Sequence, residues 1–252
     1  MQRKVVDLYS ALFFAFVWDW NGTLINDARY FYYTVLIPIL EGFGADMSEY
    51  KTRSGYEELR TEYSKLGPKA FVRRVVRTQK LKTVHRDKEV SVTWGMDVHP
   101  LVTKRYGKRS PSLMAHADAM LDIYSKMGVP MGLISGMPEE PLLEALERKG
   151  VMHYFDLIIG GVSDKTEIYQ EFVDSVNCTE MPEVVLSITD MGKDIAEANL
   201  VGMTTIGIDK GYGSVESLEE AHPSLIISDL LELRQLTGIR RMQRVGDTVR
   251  AI

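Results

Sequence analysis

From residue 112 to 235 the sequence alternates short apolar runs with amphipathic stretches, and few folds accept that order. The runs at 129–134, 155–159, 184–188, 204–208 and 225–227 read as buried strands. The stretches at 113–127, 138–149, 166–176, 192–200, 218–221 and 229–235 carry apolar residues at helical spacing, and Gly128 and Gly150 end the first two. An earlier apolar, aromatic run at 11–18 reads as a further buried strand, left through the turn-forming Asn21-Gly22-Thr23. Strands and helices in this succession predict an α/β fold: a Rossmann-like, doubly wound parallel sheet with helices on both faces.

A helical stretch interrupts the alternation after the first strand. Residues 28–44 are apolar and aromatic at helical spacing, with Asn26 or Asp27 as the capping residue, Gly42 and Gly44 at the end, and a kink or a break expected at Pro38. Two more helices are expected at 57–66 and 69–81, separated by Gly67-Pro68, then a less regular segment at 90–100 and a return linker at 104–111. This places a core domain at 1–26 and 110–252 and an inserted helical cap domain at 27–109.

Charge follows the same division. Residues 51–110 hold 16 Lys and Arg against 6 Asp and Glu, although the whole chain carries −5. Such a stretch is either a solvated basic helical face or an insert that steers an anionic ligand towards an acidic core. A nucleic-acid partner lacks support, because no recognised nucleic-acid motif accompanies the charge. No apolar segment is long enough to span a membrane. Asp7 interrupts the amino-terminal apolar stretch and no small-residue cleavage site precedes Asp19, so a signal peptide is not expected. A single cysteine, Cys178, excludes an intrachain disulfide and favours cytoplasmic residence. The five histidines show no metal-ligand spacing.

Polar residues recur just past the apolar runs: Asp19, Ser135, Lys165, and Asp190 with Asp194. Each alone has an ordinary explanation, as a helix cap, a surface lysine or a first-turn acid. Their repetition at the carboxyl ends of strands does not, because parallel strands bring those ends into one crevice.

These residues carry a resemblance. The chain resembles the haloacid dehalogenase superfamily, in its phosphoglycolate-phosphatase-like form. The first family motif, Asp-x-Asp-Gly-Thr-Leu, is matched by Asp19-Trp20-Asn21-Gly22-Thr23-Leu24, with Asn21 replacing the second Asp. The Ser or Thr after an apolar strand is matched by Ser135-Gly136, the Lys before a helix by Lys165, and the final acidic pair by Asp190 and Asp194.

The resemblance implies a hydrolase that forms an aspartyl phosphate on a small phosphorylated substrate. Asp19 would be the nucleophile. Ser135 and Gly136, with the backbone of Trp20, Asn21, Gly22 and Thr23, would bind the phosphoryl group, and Lys165 would neutralise its charge. Mg²⁺ would sit on Asp19, Asp190 and the Asn21 carbonyl, with Asp194 holding Lys165 or completing the outer shell. Gathered carboxylates also require a cation on physical grounds alone.

Asn21 can neither protonate a leaving oxygen nor activate water, work that contributes roughly 10²–10⁴-fold. Three readings follow: a slow hydrolase, or one suited to good leaving groups; a phosphonoacetaldehyde-hydrolase-like enzyme with Lys51 or Lys65 as a Schiff base; or a phosphate- and Mg²⁺-binding module without turnover. Oligomeric state is left open.

Overall fold

The computed structural model describes residues 13–106, 111–236, 242–245 and 248–251. Its first strand, β1 (Ala15–Trp18), is buried along its whole length, as an uninterrupted apolar run requires of a central parallel strand. Ala11 and Leu12 of the expected strand lie outside the described residues.

The chain then leaves the sheet for a largely helical stretch, the expected insert. A helical run covers 28–42, with its middle part, Phe31–Leu36, in π-helical geometry. The run therefore passes Pro38 without the break that proline could have made. Just before the proline, the Ile37 N–H donates to the Tyr32 carbonyl, five residues back, as a π turn requires. The helix Arg53–Gln79 is broken at Gly67 (φ 72°, ψ 166°), so Gly67-Pro68 divides it as expected. It begins earlier than the sequence suggests, because the Thr52 hydroxyl accepts from the Gly55 N–H at 3.0 Å and caps it.

Strands β2 (Lys82–His85) and β3 (Lys88–Ser91) form a hairpin that the sequence did not announce. Its turn uses Arg86 and Asp87, both at positive φ, without the usual Asn-Gly signal. Helix His99–Tyr106 takes up the start of the expected linker, whose residues 107–110 lie outside the described chain.

The remaining strands are β4 (Met131–Ile134), β5 (Leu157–Ile159), β6 (Val185–Thr189), β7 (Thr204–Ile208) and β8 (Leu225–Ile227). They complete a parallel six-stranded sheet in the order β5-β4-β1-β6-β7-β8. The strand order reverses at β1, which puts the switch point of a doubly wound sheet directly beyond Trp18.

Alternate residues of β1 serve opposite faces. Phe16 and Trp18 pack with Leu121 and Tyr124 of helix Ala117–Lys126 and with Leu142 of helix Glu139–Lys149. Ala15 and Val17 pack with Phe172 of helix Thr166–Ser175 and Ala198 of helix Gly192–Val201. Each large side chain so buried contributes about 1.5–3 kcal/mol, which fixes β1 between two helical layers.

The insert has its own aromatic and aliphatic cluster, built on Tyr32, Leu36, Leu59, Tyr63 and Phe71 and joined by Tyr212 from the loop after β7. Helix Arg53–Gln79 docks on that loop. The buried Arg60 guanidinium donates to the carbonyls of Asp209 and Gly213, Thr61 meets Ser214 at 2.7 Å, and Ser64 meets Ser217 at 3.0 Å. Lys65 reaches Glu220 at 3.0 Å and Glu216 at 3.7 Å. These outer pairs are exposed and add little stability. Among the described residues no helix is long and apolar enough to cross a membrane.

Candidate active site

The chain leaves β1 with the Asp19 N–H held by the Ile188 carbonyl of β6 at 3.0 Å. A tight turn follows, in which Leu24 and Ile25 both donate to the Trp20 carbonyl. Gly22 sits in this turn at φ 75°, and a Cβ there would lie 2.1 Å from Asp190 Oδ2. Glycine is required at this position for both its backbone angle and its lack of a side chain.

Asp19, Lys165 and Asp194 form a buried clamp. Lys165 Nζ donates to Asp19 Oδ1 at 2.7 Å and to Asp194 Oδ2 at 2.6 Å. Three different strand ends supply these groups, and Glu197 pins the Lys165 backbone by accepting from its N–H at 3.0 Å. Burial works against the ammonium, but Asp19 and Asp194 outweigh it and hold the Lys165 pKa well above the usual value. Burial raises Asp19 to about 6, against the lowering pull of Lys165 and with Asp194 adding to the rise.

Asp190 lies beside the clamp without sharing its lysine. It accepts from the Tyr212 N–H at 2.5 Å and the Thr23 hydroxyl at 3.2 Å, both neutral donors. Burial and the nearby Asp19 push its carboxyl well above the ordinary range. A buried carboxylate with a like-charged neighbour and neutral partners is a natural oxygen ligand for a hard cation. Asp19, Asp190 and the Asn21 carbonyl therefore have the donor chemistry that Mg²⁺ takes. Among the described residues no cluster of three or more acids or histidines is gathered at metal-binding distances. Asp194 belongs to Lys165 and also accepts from the Thr189 hydroxyl at 3.3 Å.

Ser135 follows β4, its N–H held by Ile159 at 2.9 Å and its hydroxyl accepting from the Met137 N–H at 3.1 Å. This leaves the hydroxyl proton to donate outwards. Gly136 is open, with the Val162 carbonyl 3.5 Å from where a Cβ would stand.

Two polar groups of the turn are engaged within the protein. The Gly22 N–H donates to the Ile25 carbonyl at 3.0 Å and to Asp27 Oδ1 at 2.9 Å. The Thr23 side chain turns to Asp190.

Asp27 is the residue that sequence reasoning passed over as a helix cap. Its side chain makes no cap hydrogen bond. Fully buried, it accepts from Asn21 Nδ2 at 2.8 Å, from the Tyr212 hydroxyl at 2.9 Å, from the Tyr106 hydroxyl and from Gly22. Burial raises its pKa, and these four hydrogen bonds oppose the rise.

A family model described as haloacid dehalogenase-like hydrolase matches residues 15–202. The phosphoglycolate phosphatase of Escherichia coli K12 is 27% identical over 135 residues, 50% of this chain and 52% of that protein. The chain thus aligns with about half the length of the curated relatives it matches. The structure of a predicted phosphoglycolate phosphatase from Haemophilus somnus 129pt superposes with a TM-score of 0.70 at 16% identity, covering 89% of this chain and 98% of that one. CbbY from Rhodobacter sphaeroides, solved in complex with phosphate, superposes with a TM-score of 0.63 at 20% identity, covering 88% and 96%. At such identities the likeness concerns the fold.

Proposed function

Because the chain belongs to the haloacid dehalogenase-like hydrolases, we propose that it is a Mg²⁺-dependent phosphatase acting on a small phosphorylated substrate. The observation that carries this reading is the Asp19–Lys165–Asp194 clamp at the switch point, with Asp190 beside it. Asp19 attacks phosphorus, an Asp19–phosphoryl bond forms, and the bond to the leaving oxygen breaks. Water then attacks the phosphoryl group, releasing phosphate and restoring the carboxylate. Lys165 holds Asp19 in place and offsets negative charge on the transferred group, and the Ser135 hydroxyl donates to one of its oxygens. Mg²⁺, held by Asp19, Asp190 and the Asn21 carbonyl, would neutralise carboxylate and phosphoryl charge together.

Asn21 supplies no proton, so the reading favours substrates with good leaving groups, such as aryl or acyl phosphates. The division into a core of 1–26 and 110–252 and a cap of 27–109 belongs to the same proposal, supported by the insert's separate aromatic cluster. So does cytoplasmic residence, which rests on the lone cysteine. The Schiff-base alternative loses ground. Lys51 is paired with Glu41 at 2.5 Å, and Lys65, hydrogen-bonded to Glu220, has a raised pKa where an amine nucleophile needs a lowered one.

The test is hydrolysis of p-nitrophenyl phosphate with Mg²⁺ and with a chelator. Turnover that depends on the metal is expected. No turnover with this or with acetyl phosphate would leave the binding-module reading in its place.

A second expectation follows from the raised carboxylates. Asp19 titrates near 6 and Asp190 above its usual range, so the folded, metal-free protein holds these protons more tightly than the unfolded chain. The contribution of Asp19 to its stability should grow as pH falls from about 6 towards 4, and that of Asp190 should likewise grow as pH falls through its own raised value. Mg²⁺ competes with the same protons. Thermal melts should therefore show a larger Mg²⁺-induced rise in Tm at about pH 7.5 than at about pH 5. Equal shifts at both values would remove the metal from these carboxylates.

A further inference from the structure

Asn21 is tied into a network that spans three parts of the chain. Its Nδ2 lies 2.8 Å from Asp27 Oδ2 and 2.8 Å from the Tyr106 hydroxyl oxygen. Tyr106 gives its own proton to Asp27, so its oxygen can only accept from Asn21. That fixes which end of the carboxamide faces inward: both Nδ2 protons are committed, and Oδ1 is the function left over. Asp27 is itself held by the Tyr212 hydroxyl at 2.9 Å and the Gly22 N–H at 2.9 Å. Tyr212 also donates its N–H to Asp190, and its carbonyl accepts from the Tyr32 hydroxyl at 3.1 Å. The catalytic turn, the last insert helix and the loop after β7 thus meet at one carboxylate.

We propose that Asp27, with Tyr106 and Tyr212, is a positioning residue that locks the Asn21 carboxamide with its nitrogen inward, so that Asn21 serves the reaction as a fixed hydrogen-bond acceptor. The proposal rests on the phosphatase reading and deepens it. Asn21 Oδ1 accepts a hydrogen bond from the attacking water, or from a hydroxyl of the bound substrate, and orients it without removing its proton. The residue two places after the nucleophile therefore contributes alignment, and the substrate class narrows to phosphoryl groups whose leaving oxygen departs unprotonated. The arrangement also explains why returning an acid to position 21 is not a simple repair. Asn21→Asp alone would bring two carboxylates together where an amide and a carboxylate now meet.

The test uses the full chain, free of metal, and reads the Asn21 side-chain amide by ¹⁵N-correlated NMR, with Asn21→Asp identifying the signal. Both Nδ2 protons are expected to exchange with solvent at least about tenfold more slowly than in Asp27→Ala. If Asp27→Ala fails to fold, Tyr106→Phe removes one acceptor only and should accelerate one of the two protons. Unchanged exchange in a folded variant overturns the proposal. This readout does not depend on turnover, so an inactive protein would sink the phosphatase reading and leave the positioning question decided. With p-nitrophenyl phosphate, Asp27→Asn should lower kcat at least about tenfold with KM within about twofold. The exchanged pair Asn21→Asp with Asp27→Asn should recover kcat at least about fivefold over the single variant, because amide and carboxylate still meet. Wild-type kcat in Asp27→Asn, or no recovery in the folded exchanged pair, counts against Asp27 as the residue that sets Asn21.

Discussion

Asp19→Asn is expected to lower turnover of p-nitrophenyl phosphate by at least roughly 10⁴-fold while the protein stays folded. The substitution keeps shape and keeps an oxygen for Lys165, so the clamp geometry survives. It replaces the anionic oxygen that attacks phosphorus with a far weaker amide oxygen, and no other described carboxylate is in place to attack instead. Asp194 is held by Lys165 and Thr189, Asp190 by Tyr212 and Thr23, and Asp27 by four donors. Stability should change little, because the carboxylate being replaced is buried and its burial raises its pKa. Initial rates alongside a thermal melt separate the two effects. A residual rate within about 10²-fold of wild type, in a folded protein, would move the nucleophile elsewhere.

Lys165→Met should have the largest effect on stability. It strips the shared cation from Asp19 and Asp194, both nearly buried, and leaves two carboxylates facing one cavity. Breaking a buried ion pair from one side costs about 3–5 kcal/mol. For a chain of this size that lowers Tm on the order of 10 °C. Turnover should fall by at least roughly 10²-fold as well, since the charge on the transferred group loses its partner. Adding Asp194→Asn to Lys165→Met should restore part of the Tm and none of the rate. Recovery of both together would mean that Lys165 acts through stability alone. A Lys165→Met protein with wild-type Tm would mean that the clamp is not closed in solution.

The sheet was legible in the sequence because each parallel strand is a short apolar run, and each run near the site ends in a polar residue. Parallel topology then converts similar positions along the chain into neighbours in space, which is how Asp19, Ser135, Lys165 and Asp190 could be grouped beforehand. The β2–β3 hairpin was hidden because Arg86-Asp87 takes the place of the glycine-rich turn that usually betrays one. Asp27 was hidden for a different reason. Its local setting, just before a helix, supports a capping role, whereas its partners Tyr106 and Tyr212 lie 79 and 185 residues away. Periodicity carries no information about such contacts. The glycines that flank Tyr212 are explained by close approach. A Cβ on Gly211 would lie 2.1 Å from Asp190 Oδ2, and one on Gly213 would lie 2.2 Å from the Asp190 carbonyl.

That loop bears on how the two halves of the molecule could be exchanged. Tyr212 belongs by sequence to the sheet and by packing to the insert, and Arg60 of the insert closes over the loop's carbonyls. A chimera that transplants only the insert onto a related sheet would sever these bonds and loosen the backbone that holds Asp190. An exchange of the 28–106 stretch should therefore carry residues 209–214 with it, so that Arg60 keeps its carbonyls and Tyr212 keeps its hold on Asp190.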